Sequence, residues 1–449
     1  MEEKIVILSK LTVKKLYGNY DYDVKFNADV TLLYGTNGCG KTTILNIITS
    51  IITGSIYKLF SYKFEKIVLN YYDERDNKIK KRVSLIKKIE DNIEIDFQEQ
   101  MQNIIKIQMP EERRHRVDSL DALYLEEYPV LKEIRKEFNY VYLALNRAAA
   151  LSNNDEYYYM KRRRFFLEED SIIEPDRIDP EIRYVESLIN RRYVNATTQT
   201  NKINNEFRNS ILKSALDVNI QTDLGKFLSD FNVSALRKTD ISEIKNSYMK
   251  ILSDLQIISE EEKKQYAVFF DNYSKLLKNV SSKMELTNMF SLFTAYNEMK
   301  KIQRIVDIAA DAEQQKADIM HPIELYLDTV NEFISTSDFE KKIDININGR
   351  VYFKTNDSEN YLSIQYLSSG ERQLLVFFAN LIFGVKDTSS GIFVVDEPEL
   401  SLHLSWQKVF VKKALEVNSN VQLIFATHAP EIIGKYRDRA EKLQRIEAR

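Results

Sequence analysis

The chain has 449 residues, enough for two or three domains with a large buried core. It holds only 11 glycines and 7 prolines, far below average usage of about 7% and 5%, which excludes collagenous, linker-like and turn-punctuated all-β designs. With 44% hydrophobic and 29% charged residues it is not a largely disordered chain, and 64 basic against 67 acidic residues leave no global field toward nucleic acid or membrane.

The single cysteine, Cys39, allows no intrachain disulfide and fits a reducing, cytoplasmic setting. The first ten residues, MEEKIVILSK, lack the layout of a signal peptide. The longest apolar stretch, Leu374 to Val385, is interrupted by Asn380 and is too short to span a membrane.

In chain order, β-branched and aromatic runs predict strands at Lys4 to Leu8, Leu11 to Leu16, Tyr22 to Phe26, Val30 to Tyr34 and Lys66 to Tyr72. One helix is expected among them, Lys41 to about Thr53. From Glu181 to His321 there is no proline, and Gly225 is the single glycine. Helical periodicity dominates this stretch: Ile244, Tyr248, Ile251, Leu252 and Leu255 share one face, with Asp240 and Glu243 as a capping box. Beyond about residue 330, Ile343 to Ile347 and Val351 to Lys354 flank Asn348-Gly349, a signal for a two-residue hairpin turn. The runs Ile392 to Val395 and Val421 to Ala426 are continuously apolar, as in a sheet covered on both faces. The organisation expected is one α/β domain in two lobes, 1–110 and 331–449, separated by a mostly helical insertion, 111–330.

Three of the scarce glycines fall in GTNGCGKTT, directly after a strand and directly before a helix. Gly35, Thr36, Asn37, Gly38, Cys39, Gly40, Lys41, Thr42 and Thr43 thereby form a P-loop in its required context. Its backbone N–H groups and helix N-terminus would cradle the phosphates of ATP, Lys41 would contact the β- and γ-phosphates, and the Thr42 hydroxyl would bind Mg²⁺. A second motif, GIFVVDEPE, sets Asp396 and Glu397 at the end of an apolar strand. Asp396 fits the metal side, and Glu397, pointing elsewhere, fits the group that polarises the attacking water.

LSSGERQ, Leu367 to Gln373, precedes Asp396, and His428 follows the next apolar strand. This order resembles the ATP-binding-cassette ATPases, whose signature is LSGGQ and whose switch histidine follows the strand after Walker B. Ser369 replaces the first signature glycine and Glu371 the glutamine, as in the branch that includes SMC, Rad50, RecF and OLD-type proteins. The resemblance implies an α/β fold: an ABC-type P-loop ATPase head with an N-terminal antiparallel β subdomain and a large mostly helical insertion. It further implies that Ser368, Ser369, Gly370 and Glu371 face ATP bound by a second subunit in a homodimer, that His428 senses the γ-phosphate, and that ATP and Mg²⁺ are the cofactors. Higher homo-oligomers are also expected.

Among the remaining candidates, Gln98, Gln100, Gln102 or the pair Asn146-Arg147 could complete the Mg²⁺ shell. Ser401, Leu402 and His403 are interface candidates, His115 and His321 read as surface or capping residues, and Trp406 reads as core. Lys161 to Arg164 with Phe165, Phe166, Arg191 and Arg192 could line a DNA groove, but Glu168, Glu169 and Asp170 follow at once and favour a mixed solvated face.

The insertion is too short for an SMC or Rad50 coiled coil, and the 21 residues after His428 leave no space for the TOPRIM domain of OLD nucleases. The stretch LTVKKLYGNYDYDVKF into the P-loop, together with DEPELSLH, looks most like the ATPase subunit of PARIS anti-phage systems, next the Septu ATPase. That resemblance implies a sensor or scaffold controlling a separately encoded effector, a TOPRIM-type nuclease, and responding to a phage trigger protein. The alternative is a RecF- or SMC-like repair ATPase that binds DNA.

Overall fold

The structure, a computed structural model, describes residues 6–73, 80–88, 92–97, 105–108, 123–144, 149–152, 180–216, 240–255, 258–278, 286–335, 341–355, 358–384 and 391–447. They form two compact units, 1–192 with 322–449, and 193–321.

In the first unit β1 (Val6–Leu16) pairs antiparallel with β2 (Tyr20–Lys25), and β3 (Val30–Tyr34) leads into the helix Lys41–Ile52. β4 (Lys66–Asp73), β5 (Lys80–Lys88), β6 (Asn92–Phe97) and β7 (Ile105–Gln108) extend the first sheet as an antiparallel meander. The two strands expected within residues 4–16 are one continuous strand. A register shift between Leu8 and Lys10 absorbs the polar Ser9 as a bulge without ending the ladder.

The second sheet holds β8 (Tyr140–Ala144), β9 (Ala149–Ser152), β13 (Gly391–Asp396), β14 (Val421–Thr427) and β15 (Ala440–Lys442), in the order β15-β3-β14-β13-β8-β9. All its neighbours are parallel except β8 and β9. β14 therefore lies between the strand that feeds the P-loop and the strand that ends in Asp396, and the three carboxyl ends open on one edge.

Both faces of this sheet are covered, as the unbroken apolar runs require. Ile392, Val394, Ile424 and Ala426 join the cluster made with the P-loop helix and the antiparallel sheet. Nine of that helix's twelve residues are buried, so it is a slab between two sheets and not a surface helix. On the opposite face Phe393 and Phe425 pack at 5.5 and 6.0 Å from Phe377, which also meets Phe410 at 4.4 Å. Gln422, 2% exposed, pins the sheets together: it accepts from Leu8 N and donates to the Leu8 and Asn27 carbonyls, each at 2.8 Å. These bonds satisfy the backbone that the β1 bulge frees.

A small sheet of β10 (Lys342–Ile345), β11 (Val351–Thr355) and β12 (Ser358–Ser363) precedes the signature. Its first turn differs from expectation. Ile345 pairs with Val351, Asn346 N donates to Arg350 O, Gly349 N donates to Asn346 O, and Gly349 alone in the loop is left-handed at φ 74°, which makes a three-residue loop, 347–349, with a terminal bulge. A two-residue type I′ turn would need Asn348 left-handed as well, and it is not.

In the second unit Asp240 caps the helix Ile241–Asp254 by accepting from Ser242 N and Glu243 N. Ile244, Tyr248 and Leu252 pack with Phe270, Tyr273 and Leu277 of the helix Glu260–Lys278 and with Leu292 and Ile302. Among the described residues no helix is long and apolar enough to cross a membrane.

Candidate nucleotide site

The P-loop turns directly from β3 into its helix. Gly40 stands at the N-cap with φ 105°, a conformation that L side chains rarely adopt, and a Cβ there would lie 2.9 Å from the Tyr22 hydroxyl. No side chain caps this helix and no acidic residue occupies its first turn, so its leading N–H groups are presented as an anion cradle. Tyr22 donates to Cys39 O at 2.9 Å, Arg445 donates to Gly38 O, and Tyr17 meets the Thr43 hydroxyl at 3.3 Å. The loop is thus braced by β2 and by the segment after β15. Arg445 and these tyrosines had no assigned role in the sequence: Arg445 reaches a loop 407 residues away, and the tyrosines act on the loop through a hydroxyl that no motif marks.

Lys41, 6% exposed, donates to Gly35 O at 3.0 Å, and its Nζ lies 3.2 Å from His428 Nδ1. His428 Nε2 lies 3.9 Å from Glu397 Oε1. Glu397 has φ 53° and donates its N–H to Ala426 O at 2.8 Å, so the backbone turns as soon as β13 ends, and its carboxylate reaches toward His428. Burial pushes the Asp396 carboxyl above the usual carboxylate range; Glu397 and Glu399 add to the rise, while a hydrogen bond with Thr42 and the Lys41 charge oppose it. Asp396 Oδ1 is buried with no hydrogen-bond partner among the described residues. An orphaned carboxylate oxygen beside the Thr42 hydroxyl is a donor set that fits a hard divalent cation such as Mg²⁺.

Lys41, Thr42, Asp396, Glu397 and His428 are therefore gathered at one edge of the parallel sheet. Thr36 O receives the Cys39 N–H, and Thr36, Asn37 and Gly38 are exposed.

The signature opens a second element. Ser368 caps the helix Ser369–Ala379 in a reciprocal capping box: Ser368 N donates to Glu371 Oε2 at 2.7 Å and Glu371 N donates to Ser368 Oγ at 3.3 Å. Glu371, 3% exposed, also receives both its contacts from Lys341 at 3.0 Å, so its carboxylate is turned inward. Ser368 and Ser369 remain exposed. The Ser368 hydroxyl accepts one bond and keeps its own proton to donate. Gly370 is buried because the backbone after Asp396 crosses it: a Cβ would stand 2.4 Å from Ser401 O. Gln373 Nε2 donates to Pro398 O at 3.1 Å. The signature helix and the loop 397–403 are one packed piece.

Residues 7–433 match the AAA_15 family, described as an AAA ATPase domain. The chain belongs to this family. AAA_15 proteins are ATPases, and the enzyme described here is one. A curated relative, the retron Ec83 probable ATPase of Escherichia coli, is 30% identical over 80 residues, a stretch that spans 16% of this AAA_15 chain and 15% of the retron protein. Among solved structures, the Smc head domain of Pyrococcus furiosus bound to the C-terminal domain of ScpA aligns with TM-score 0.40 at 12% identity, over 96% of this chain and 91% of that one. The recombination mediator RecF aligns with TM-score 0.33 at 13% identity, over 95% and 94%.

Other candidates resolve individually. His403 caps the helix Leu404–Val417 through Nδ1, 3.4 Å from Ser405 N; Ser401 is exposed and Leu402 buried. Trp406 is partly buried against Phe333, and His321 is exposed. Arg192 donates to Phe383 O at 3.1 Å. His115, Gln98, Gln100, Gln102, Asn146, Arg147 and Lys161 to Phe166 lie outside the described residues. Glu399, like Arg445, is a site residue that the sequence did not single out. Its Oε1 accepts from His428 N at 2.6 Å and Ala429 N at 3.2 Å.

Proposed function

We propose that this AAA_15 ATPase is an ATP-driven dimer switch that acts as sensor and scaffold of an anti-phage defence system and controls a separately encoded effector, of TOPRIM nuclease type, in response to a phage trigger protein. The observation that carries the switch is the convergence of Lys41, Asp396, Glu397 and His428 at one sheet edge. ATP phosphates seat on the N–H groups from Gly35 to Thr43, and Lys41 leaves Gly35 O and His428 for the β- and γ-oxygens. Thr42 and Asp396 would hold Mg²⁺, which would neutralise phosphate charge. Glu397 orients and deprotonates the attacking water, and His428, released from Lys41, donates to the γ-phosphate. Ser368 and Ser369, at the exposed start of a helix, contact the γ-phosphate of the partner subunit. Closure therefore depends on a group that hydrolysis removes, which gives the two states differential contacts.

The relation to a retron ATPase supports defence over repair. The outer face of the antiparallel sheet agrees: Lys10 pairs with Asp23 at 2.8 Å and Lys14 with Asp21 at 2.7 Å, and Arg82 reaches Asp96 at 4.0 Å. Cations already paired with acids make a poor phosphate-tracking surface. The test is co-expression with the adjacent open reading frame, followed by pull-down in ATP. A nuclease should co-purify and be lost with Lys41→Ala. The reading fails if no neighbour binds and the isolated ATPase instead takes up duplex DNA with an affinity that falls steeply with salt.

A further inference from the structure

The two loops that carry Glu397 and His428 leave adjacent parallel strands, and the strand ladder ends with Glu397 N on Ala426 O. Past that bond, the Glu399 side chain takes over the tie. Its Oε1 accepts from His428 N at 2.6 Å and from Ala429 N at 3.2 Å, and the Thr427 hydroxyl shares the second donor at 3.0 Å. The left-handed turns at Glu397, φ 53°, and Ser401, φ 63°, fold the loop so that Glu399 aims back at the histidine backbone. Its other oxygen, Oε2, is buried with no hydrogen-bond partner among the described residues. A third carboxylate beside Asp396 and Glu397 is electrostatically unfavourable, since it helps to raise the Asp396 carboxyl. Charge-assisted bonds to two backbone donors are what offset that cost.

We propose that Glu399 is a positioning residue for ATP hydrolysis: by holding the His428 and Ala429 N–H groups it fixes the imidazole between Lys41 and Glu397, and so sets the preference of the site for ATP over ADP. The inference rests on the reading of His428 as the γ-phosphate sensor. Lys41 Nζ at 3.2 Å from Nδ1 and Glu397 Oε1 at 3.9 Å from Nε2 define the position that is held. Should the 428–429 backbone relax by even an ångström, the imidazole would miss the γ-phosphate, whereas the α- and β-phosphates on the P-loop would be unaffected.

The test is binding of a non-hydrolysable ATP analogue and of ADP, with kcat and KM, for the wild type, Glu399→Ala, Glu399→Gln, His428→Ala and the double variant Glu399→Ala with His428→Ala. Glu399→Ala should weaken the ATP analogue roughly ten- to hundredfold and lower kcat, with ADP affinity within about twofold. Glu399→Gln keeps the acceptor oxygen without the charge and should recover most of the loss. The double variant should match His428→Ala alone, because Glu399 acts through that residue. Parallel losses of ATP and ADP affinity, a Gln variant as weak as Ala, or additive effects in the double variant would overturn the inference. If His428→Ala lowers the ATP preference and Glu399→Ala does not, the inference alone fails. If His428→Ala leaves the preference unchanged, the sensor reading fails and takes the inference with it.

Discussion

Gly370→Ala puts a methyl group where the chain has no space for one. The added Cβ would stand 2.4 Å from Ser401 O, 3.3 Å from Ser401 C and 3.6 Å from the Trp406 ring, while ordinary contact begins at 3.4 Å. The signature helix and the loop after Asp396 must separate by 3.4 − 2.4 = 1.0 Å. That loop is not free to give: Ser401 is already left-handed at φ 63°, Pro398 O is held by Gln373 at 3.1 Å, and Glu399 is held by His428 N at 2.6 Å. Overpacking of this kind costs about 1–3 kcal/mol, read as a lower denaturant midpoint. An ångström of misplacement at Glu397 costs on the order of a hundredfold in kcat. Gly384→Ala is the control, because its added Cβ meets Asn380 and Val141 at 3.4–3.6 Å, which is ordinary contact. Steady-state ATP turnover and urea unfolding of both variants are the assays. A Gly370→Ala protein with wild-type midpoint and wild-type kcat would refute the coupling of signature helix and catalytic loop.

Lys41→Ala should abolish nucleotide binding by calorimetry while the unfolding transition persists, since among the described residues the Lys41 ammonium reaches Gly35 O and His428, neither of which ties distant elements of the core. For Asp396→Asn, the Mg²⁺ concentration that gives half-maximal turnover should rise; an unchanged Mg²⁺ dependence would remove Asp396 from the metal shell. Lys341→Met strands the Glu371 carboxylate, whose side chain is 4% exposed, and should cost about 3 kcal/mol in denaturant unfolding. By contrast Lys245→Met, at an exposed pair with Asp271, should cost under about 0.5 kcal/mol.

What could be read from the chain follows from which residues have few alternatives. A glycine-poor sequence that concentrates glycine at Gly35, Gly38 and Gly40 needs it there: Gly38 and Gly40 are left-handed at φ 77° and 105°, and a Cβ on Gly35 would stand 2.7 Å from Cys39 Sγ. The strands around Ile392 and Val421 were legible because a sheet covered on both faces leaves an unbroken apolar run. Less local features were hidden. Ser9 looked like a break and is a bulge, because Gln422, 414 residues away in sequence, satisfies its neighbour Leu8. Asn348-Gly349 looked like a two-residue turn, but Asn346 N donates to Arg350 O inside the Ile345–Val351 pair, which leaves Ile347, Asn348 and Gly349 to close the loop. Glu371 read as a nucleotide-facing residue of the signature, and its carboxylate caps its own helix and meets Lys341. Glu399 and Arg445 act on backbone groups, His428 N and Gly38 O, that no side-chain motif announces.

The central claim is that ATP holds two copies together through a site in which Glu397 drives hydrolysis. The most direct measurement is the molar mass of Glu397→Gln in solution, with ATP and Mg²⁺ and without them. The account predicts a stable dimer in ATP that retains unhydrolysed nucleotide, no such ATP-dependent dimer for the wild type after turnover, and a turnover rate for the variant at least about a hundredfold below wild type. A Glu397→Gln protein that hydrolyses ATP at the wild-type rate, or whose mass is indifferent to ATP, would contradict it.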